Sequence, residues 1–350
     1  MKKLKNNFSA VQNSISNYEA LNQAKEVLKK FGLVEMYELS PLNGAFNTNW
    51  LVSSKKKKYI LKRRNIKNLK NSKKEVILQD LLKNKINTAA PVFSLDNSEV
   101  VISRRWCFTL FEYIDGRAYS ESIHDFALVA NALSDLHYKT SDIKDLSKTK
   151  IPDFNWTVIK WAKEFVELCR KSGLINIYHI EEALLYLNLA EKEIGRLEHI
   201  KPLRKSLVHW NFHNGNLLIK GDDVYVFDFE FAHFDNRIAD IANSLPFFVS
   251  HSQAKIKYDD AATFIQPIKF DMIEFERFLS LYDCINQNYN LTAEEKMALP
   301  FYLQISAIGW AFYTFYHMPR SISSINLIFE FSKWVENNLD DIYLHSNLND

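Results

Sequence analysis

The chain has 350 residues, of which 47% are hydrophobic and 25% charged, with 8 glycines, 8 prolines and 3 cysteines. Those figures exclude fibrous, low-complexity and intrinsically disordered classes and leave an ordinary globular protein long enough for two domains. The net charge of +2 conceals a divided distribution: residues 1–100 carry 19 Lys/Arg against 8 Asp/Glu, or +11, so residues 101–350 sum to −9. A basic N-terminal region suits a polyphosphate ligand, a solvated lysine surface or nucleic acid, but no nucleic-acid recognition module follows, so no nucleic-acid partner is expected. Cys107, Cys169 and Cys284 have no CxxC spacing, which fits a reducing compartment. The start, MKKLKNNFSA, lacks the apolar run of a secretory signal, and a cytoplasmic location is expected.

From Ser14 to Lys30, Leu21, Ala24, Val27 and Leu28 fall on one helical face, and Gly32 stands where a helix stops. Strands are expected at Val34–Ser40, Asn47–Ser53 and Tyr59–Arg63, with Asn43-Gly44 and Lys55–Lys58 as their connections. A helix with Val76, Ile77, Leu81 and Leu82 follows. Then come strands at Val100–Ser103 and Cys107–Tyr113, after the turn residues Asp96-Asn97. Beyond Gly116 the pattern is mostly helical, with helices at Ala127–His137 and Ile180–Leu197. The last third is rich in aromatics (Trp310, Phe312, Phe315, Trp334) whose spacing predicts core. Met297 to Pro319 contains no Lys, Arg, Asp or Glu. Pro300, Gln304, Ser306 and several tyrosines would be costly in hydrocarbon, so a buried helix is expected and no membrane partner. The expected organisation is a nucleotide-binding lobe at 1–112 with a leading helix, and a helical lobe at 113–350 carrying a catalytic hairpin and an acceptor site.

That hairpin is Leu217–Ile219 and Val224–Phe227 around Gly221-Asp222. Antiparallel pairing about a centre near Asp222 would set Asn216 opposite Asp228, two oxygen donors suited to a hard divalent ion that takes its other ligands from phosphates. Upstream, His209, Asn211 and Asn216 keep the offsets of the H-R-D-x-x-x-x-N loop of protein kinases, and Asp228-Phe229-Glu230 stands where D-F-G would. In that scheme Asn216 and Asp228 bind Mg²⁺, position 211 orients the acceptor hydroxyl, and His209 is an internal brace rather than a base.

"HWNFHNGN" followed by "DFE" resembles the aminoglycoside phosphotransferase and choline kinase-like family, whose H-x-D-x-H-x-x-N it matches at every signature place except 211. The resemblance runs over most of the chain in the same order. "NGAFNTNWLV" is similar to the family's nucleotide loop, with Gly44 and Asn47 close to phosphate. Lys62 in "YILKRR" matches the phosphate-binding lysine and Glu75 in "KKEVILQDLL" its partner. "TLFEYIDGR" resembles the hinge, with Glu112, Tyr113 and Ile114 against adenine. "NRIADIANSL" has Asp240 at the family's aspartate. The resemblance implies an α+β, bilobal protein-kinase-like fold with a small antiparallel sheet N-lobe and a large helical C-lobe. It also implies ATP and Mg²⁺ as cofactors and a small-molecule acceptor. Within the superfamily the chain is most similar to CotS-type spore coat proteins, which implies spore coat or other protein partners as the alternative.

Asn211 cannot take a proton at neutral pH, so general-base help, typically about 10²–10⁴ in rate, is absent from this side chain. Phosphoryl transfer depends mainly on positioning and charge neutralisation, and an amide oxygen still accepts a hydrogen bond. Three readings stay open: a slow or specialised kinase, a nucleotide-binding pseudokinase, or an aspartate replaced experimentally. Glu230 and Asp235 are the nearby carboxylates that would substitute.

Overall fold

The computed structural model describes residues 19–34, 37–42, 48–143, short helical stretches between 159 and 171, and then 177–197, 199–200, 202–252, 268–286, 289–317, 330–338 and 340–342. The chain divides into two compact units, one running through Gly116 and including Phe227–Glu230, the other made of Arg117–Val226 and Phe231–Asp350. The boundary expected at residue 112 thus falls four residues later by this division, and a short return of the chain joins the first unit.

The first unit is a sheet between two helices. Helix α1 (residues 19–30) turns Ala20, Ala24, Val27 and Leu28 to one side, and Gly32, at φ +78°, ends it in the left-handed conformation a glycine adopts at little cost. Strands β1 (Glu38–Leu42), β2 (Thr48–Ser53), β3 (Lys58–Asn65), β4 (Pro91–Val92), β5 (Val101–Ser103) and β6 (Trp106–Glu112) are antiparallel, in the order β1-β2-β3-β6-β4 with β5 also on β6. β1 begins later than its apolar pattern indicated: Val34 is exposed and outside it. Pro41 is accepted because β1 is an edge.

The period of two then fixes the two faces. Leu61, with Trp50, Val52, Phe108 and Leu110, packs against α1 in one core. On that side Arg63 also stacks over Trp50 and Trp106, 5.3 and 4.3 Å from the ring centres. Lys62 and Arg64 alternate to the opposite side, where α2 (Leu69–Leu82) presents Ser72, Glu75, Val76, Leu78, Gln79 and Leu82. Ile77 and Leu81, expected among the apolar residues of this helix, are instead exposed. The face is chosen by partners for Glu75 and Gln79 rather than by apolar spacing: Gln79 donates to Thr88 Oγ1 and to the Ala89 carbonyl.

In the second unit, α3 (Ile123–Thr140), α4 (Ile177–Leu197), α5 (Arg237–Ser244), α6 (Met272–Ile285), α7 (Ala293–His317) and α8 (Glu330–Asn337) surround short strands. β7 (Lys205–Val208) pairs with β10 (His233–Asn236), β8 (Leu217–Lys220) with β9 (Asp223–Val226), and β11 (Ser250–Ser252) with β12 (Ile268–Phe270). Arg237, fully buried at the start of α5, is forked onto Glu295 at 2.6 and 2.7 Å, donates to the carbonyls of Tyr289 and Asn290, and lies over the Tyr289 ring. A buried charge held this completely fixes one arrangement of α5 and the start of α7. α7 contains Pro300. No helix among the described residues is long and apolar enough to cross a membrane. The side chains of Trp310, Phe312 and Phe315 lie outside the described residues, as do Cys169, Gly44 and Asn47. Trp334 is half-buried, 5.5 Å from the Phe270 ring.

The β8–β9 register corrects one expectation. Its pairs run from Lys220↔Asp223 to Leu217↔Val226, so the turn is centred between Gly221 and Asp222, not near Asp222 itself, and neither Asn216 nor Asp228 is a paired position of the ladder. A two-residue loop with Gly221 at φ +62° has no central residue, which shifts the pairing by one. Asn216 ends a short 3₁₀ turn (Asn214–Asn216), and Asp228 lies past the strand at φ +69°.

Candidate active site

In the first unit, Lys62 sits in a buried charge cluster. Its Nζ lies 3.1 Å from Glu75 Oε1 and 2.8 Å from Asp228 Oδ1. Arg64, two residues on, gives NH1 to Glu75 Oε2 and NH2 to Asp228 Oδ1 at 3.0 Å and to Glu230 Oε2 at 3.2 Å. Burial alone would lower the Lys62 ammonium, but Asp228 and then Glu75 more than reverse this, so it is held above its usual range as a firm cation. Burial, then repulsion from Asp228, pushes the Glu230 carboxyl up to about 7 against the pull of Arg64 and Lys62. Burial likewise pushes the neighbouring Lys74 down to about 8. Sequence reasoning singled out Lys62, Glu75 and Asp228 here; it missed Arg64 and Lys74. The alternation of β3 was the signal that would have found Arg64, because whatever side Lys62 faces, Arg64 shares.

The edge of the same unit carries Glu112, Tyr113 and Ile114. The Glu112 and Tyr113 amides donate to the carbonyls of Ala90 and Lys58, at 2.8 and 3.1 Å. Of the three, Ile114 is the residue whose amide those turn contacts do not use. The Glu112 side chain points to Lys57 at 3.5 Å, an exposed pair of little energetic weight.

In the second unit, the loop between β7 and β8 holds His209, Asn211 and Asn216, and one carboxylate organises it. Asp240, fully buried on α5, accepts the backbone N–H of His209 (2.6 Å) and of Trp210 (2.8 Å), and meets His137 Nε2 at 3.0 Å. The carboxylate can only accept, so the His137 proton is assigned to Nε2, and its Nδ1 takes the Tyr282 hydroxyl at 2.8 Å. Burial raises the Asp240 carboxyl, but the His137 hydrogen bond, together with the His209 backbone N–H, outweighs it and leaves the group below its usual range. Trp210 has φ +62°, uncommon for a bulky residue. It is held from both ends, since Asn243 Nδ2 donates to its carbonyl at 2.9 Å while Ser306 Oγ orients that amide at 3.1 Å.

This brace sets the three loop residues. The His209 ring is buried, and its Nδ1 accepts the Asn211 N–H at 3.2 Å. The Asn211 carbonyl accepts Asn216 Nδ2 at 3.0 Å. Asn211 is therefore fixed through its backbone, and Asn216 turns Nδ2 toward the loop. Among the described residues no group of three His, Cys, Asp or Glu side chains is placed to hold a metal. An amide oxygen such as that of Asn216 and a carboxylate such as that of Asp228 are each, taken singly, donors of the kind a hard divalent ion accepts. Asp235, on β10, is engaged locally with the Asn236 amide and His233.

Solved structures with this fold include amicoumacin kinase hAmiN in complex with AMP-PNP, Ca²⁺ and Ami, with 18% identity over 92% of this chain and 96% of that one and a TM-score of 0.63. They also include a choline kinase from Cryptosporidium parvum Iowa II, at 16% identity, 90% and 94% coverage and a TM-score of 0.62. A microcompartment-associated aminopropanol kinase matches at 14% identity, 93% and 100% coverage and a TM-score of 0.64. No curated protein sequence matches the chain. The family model described as the phosphotransferase enzyme family, APH, matches residues 38–264. The chain has the α+β kinase-like fold and belongs to this phosphotransferase family.

Proposed function

We propose that the protein is an ATP- and Mg²⁺-dependent phosphotransferase acting on a hydroxyl of a small molecule, at a rate attenuated by Asn211. The observation that carries this reading is the buried Lys62, held as a cation between Glu75 and Asp228. An ammonium with two fixed carboxylates is oriented for the phosphates of a nucleotide, and a desolvated pair of this kind is poor evidence of stability for its own sake. Asn216 and Asp228 would hold the divalent ion, which neutralises charge on the phosphates. The loop with Gly44 and Asn47 would lie along them, and the hinge residues Glu112, Tyr113 and Ile114 would take adenine, with Ile114 as the amide donor. The acceptor oxygen bonds to the terminal phosphorus as the bond to the β-phosphate oxygen breaks and ADP leaves. Asn211 accepts the acceptor's hydrogen bond and orients it, and the proton passes to solvent. Choline and aminopropanol, named for the kinases of similar fold, are amino alcohols. The −9 charge of residues 101–350 favours a cationic acceptor of that class.

Asn211 itself favours a second reading, a pseudokinase that serves as a structural, CotS-like coat protein. One comparison separates them: ATP consumption with a panel of amino alcohols and aminoglycosides, for the protein and its Asn211→Asp variant. Turnover by the protein that rises about 10²–10⁴-fold in the variant is expected. No turnover in either, with the fold intact, would leave the scaffold reading standing. Asp228→Ala should also remove magnesium-dependent nucleotide binding, and unchanged affinity would refute the metal assignment.

A further inference from the structure

Arg64 is the most deeply buried cation of the Lys62 cluster, its side chain 1% exposed against 10% for Lys62. It touches three carboxylates. Glu75 is divided between the two cations, Oε1 to Lys62 and Oε2 to Arg64, while NH2 lies 3.0 Å from Asp228 and 3.2 Å from Glu230. A guanidinium so enclosed does not itself reach a ligand; it acts on groups that do. Its fork spans α2 and the Asp228–Glu230 turn at once, a reach one ammonium lacks.

We propose that Arg64 is a positioning residue of the nucleotide site, which keeps Glu75 shared so that Lys62 stays aimed at phosphate, and compensates Glu230 so that Asp228 holds its place for the divalent ion. The inference rests on the ATP-dependent reading above. Without Arg64, Glu75 is free to give both oxygens to Lys62 and draw it toward α2. Asp228 and Glu230, two residues apart, would repel with one fewer cation between them.

The charge argument predicts a rescue that a merely structural role would not give. MgATP dissociation constants are measured by calorimetry on the full-length protein, Arg64→Met, Arg64→Lys, Glu230→Gln and Arg64→Met/Glu230→Gln, each checked for folding by circular dichroism. Arg64→Met should weaken MgATP binding by about 10–100-fold, and removing the uncompensated carboxylate in the double variant should recover at least about tenfold of it. Arg64→Lys, which keeps charge but not the fork, should remain about fivefold weaker or more. Binding within twofold of the unaltered protein in Arg64→Met overturns the proposal, as does a double variant no better than the single. Should Arg64→Met fail to fold, Arg64→Lys decides, and affinity within twofold in that variant overturns it. If the unaltered protein binds no MgATP, the functional reading falls and this inference with it, whereas binding that ignores Arg64 removes this inference alone.

Discussion

The two carboxylate-centred clusters, Asp228 in the first unit and Asp240 in the second, are built on opposite principles. Asp240 is satisfied by backbone: two successive amides of the loop and one neutral imidazole converge on it. Such an arrangement has one geometry and holds it, which suits a group whose work is to fix His209, Trp210 and Asn211. Asp228 is met by side-chain cations, Lys62 and Arg64, which share their other contacts with Glu75 and Glu230. Charges that share partners can exchange one for a phosphate or a metal ion at modest cost. One carboxylate therefore defines backbone, and the other, on the proposed reading, exchanges a cation for a metal ion.

The sharpest way to break this contrast is to remove a charge from each cluster. Lys62→Met should lower ATP turnover by at least about 100-fold, and because it leaves Glu75, Asp228 and Glu230 sharing Arg64 as their cation it should also lower the melting temperature. Turnover near that of the unaltered protein would end the phosphate role of Lys62. Asp240→Asn should destabilise by about 2–4 kcal/mol: an amide offers one oxygen where two backbone N–H groups need acceptors, so its NH₂ would face a donor. Denaturant unfolding measures this, and a change under about 0.5 kcal/mol would show that Asp240 does not organise the loop.

The same cluster has a pH signature. Asp240 is held below its ordinary value, so the native state binds fewer protons than the unfolded one in acid. Its stabilisation is complete above the ordinary carboxylate pKa of about 4 and is lost as pH falls through the lower folded value. Unfolding free energy should thus drop in acid for the unaltered protein and drop less steeply for Asp240→Asn. Parallel slopes would contradict the assignment. The smallest effect is expected at the far end of the brace. Asn243→Ala removes the donor to the Trp210 carbonyl and should cost about 1 kcal/mol, with a smaller loss for Ser306→Ala, which only orients that amide.

Many residues of these two clusters stand out in the sequence alone. Lys62, Glu75, His209, Asn211, Asn216, Asp228 and Asp240 lie in short motifs whose offsets are local, and the hairpin was marked by Gly221-Asp222 between two β-prone runs. The one-residue error in its register shows the limit of such reading, because the centre of a turn depends on how many residues the loop uses. Ile77 and Leu81 show another: apolar spacing marked α2 as a helix, but Glu75 and Gln79 decided which face is inside.

The sequence by itself determined that this chain carries the motifs of a kinase-like phosphotransferase family with an amide at position 211, since the motifs are contiguous stretches whose chemistry is written in residue types. Only the tertiary structure decided which charges meet. The contacts of Arg64 with Asp228 and Glu230, and of His137 with Asp240, join residues more than 100 positions apart along the chain. No local pattern encodes such pairs; they follow from where strands and helices pack and from the cost of burying a charge without a partner.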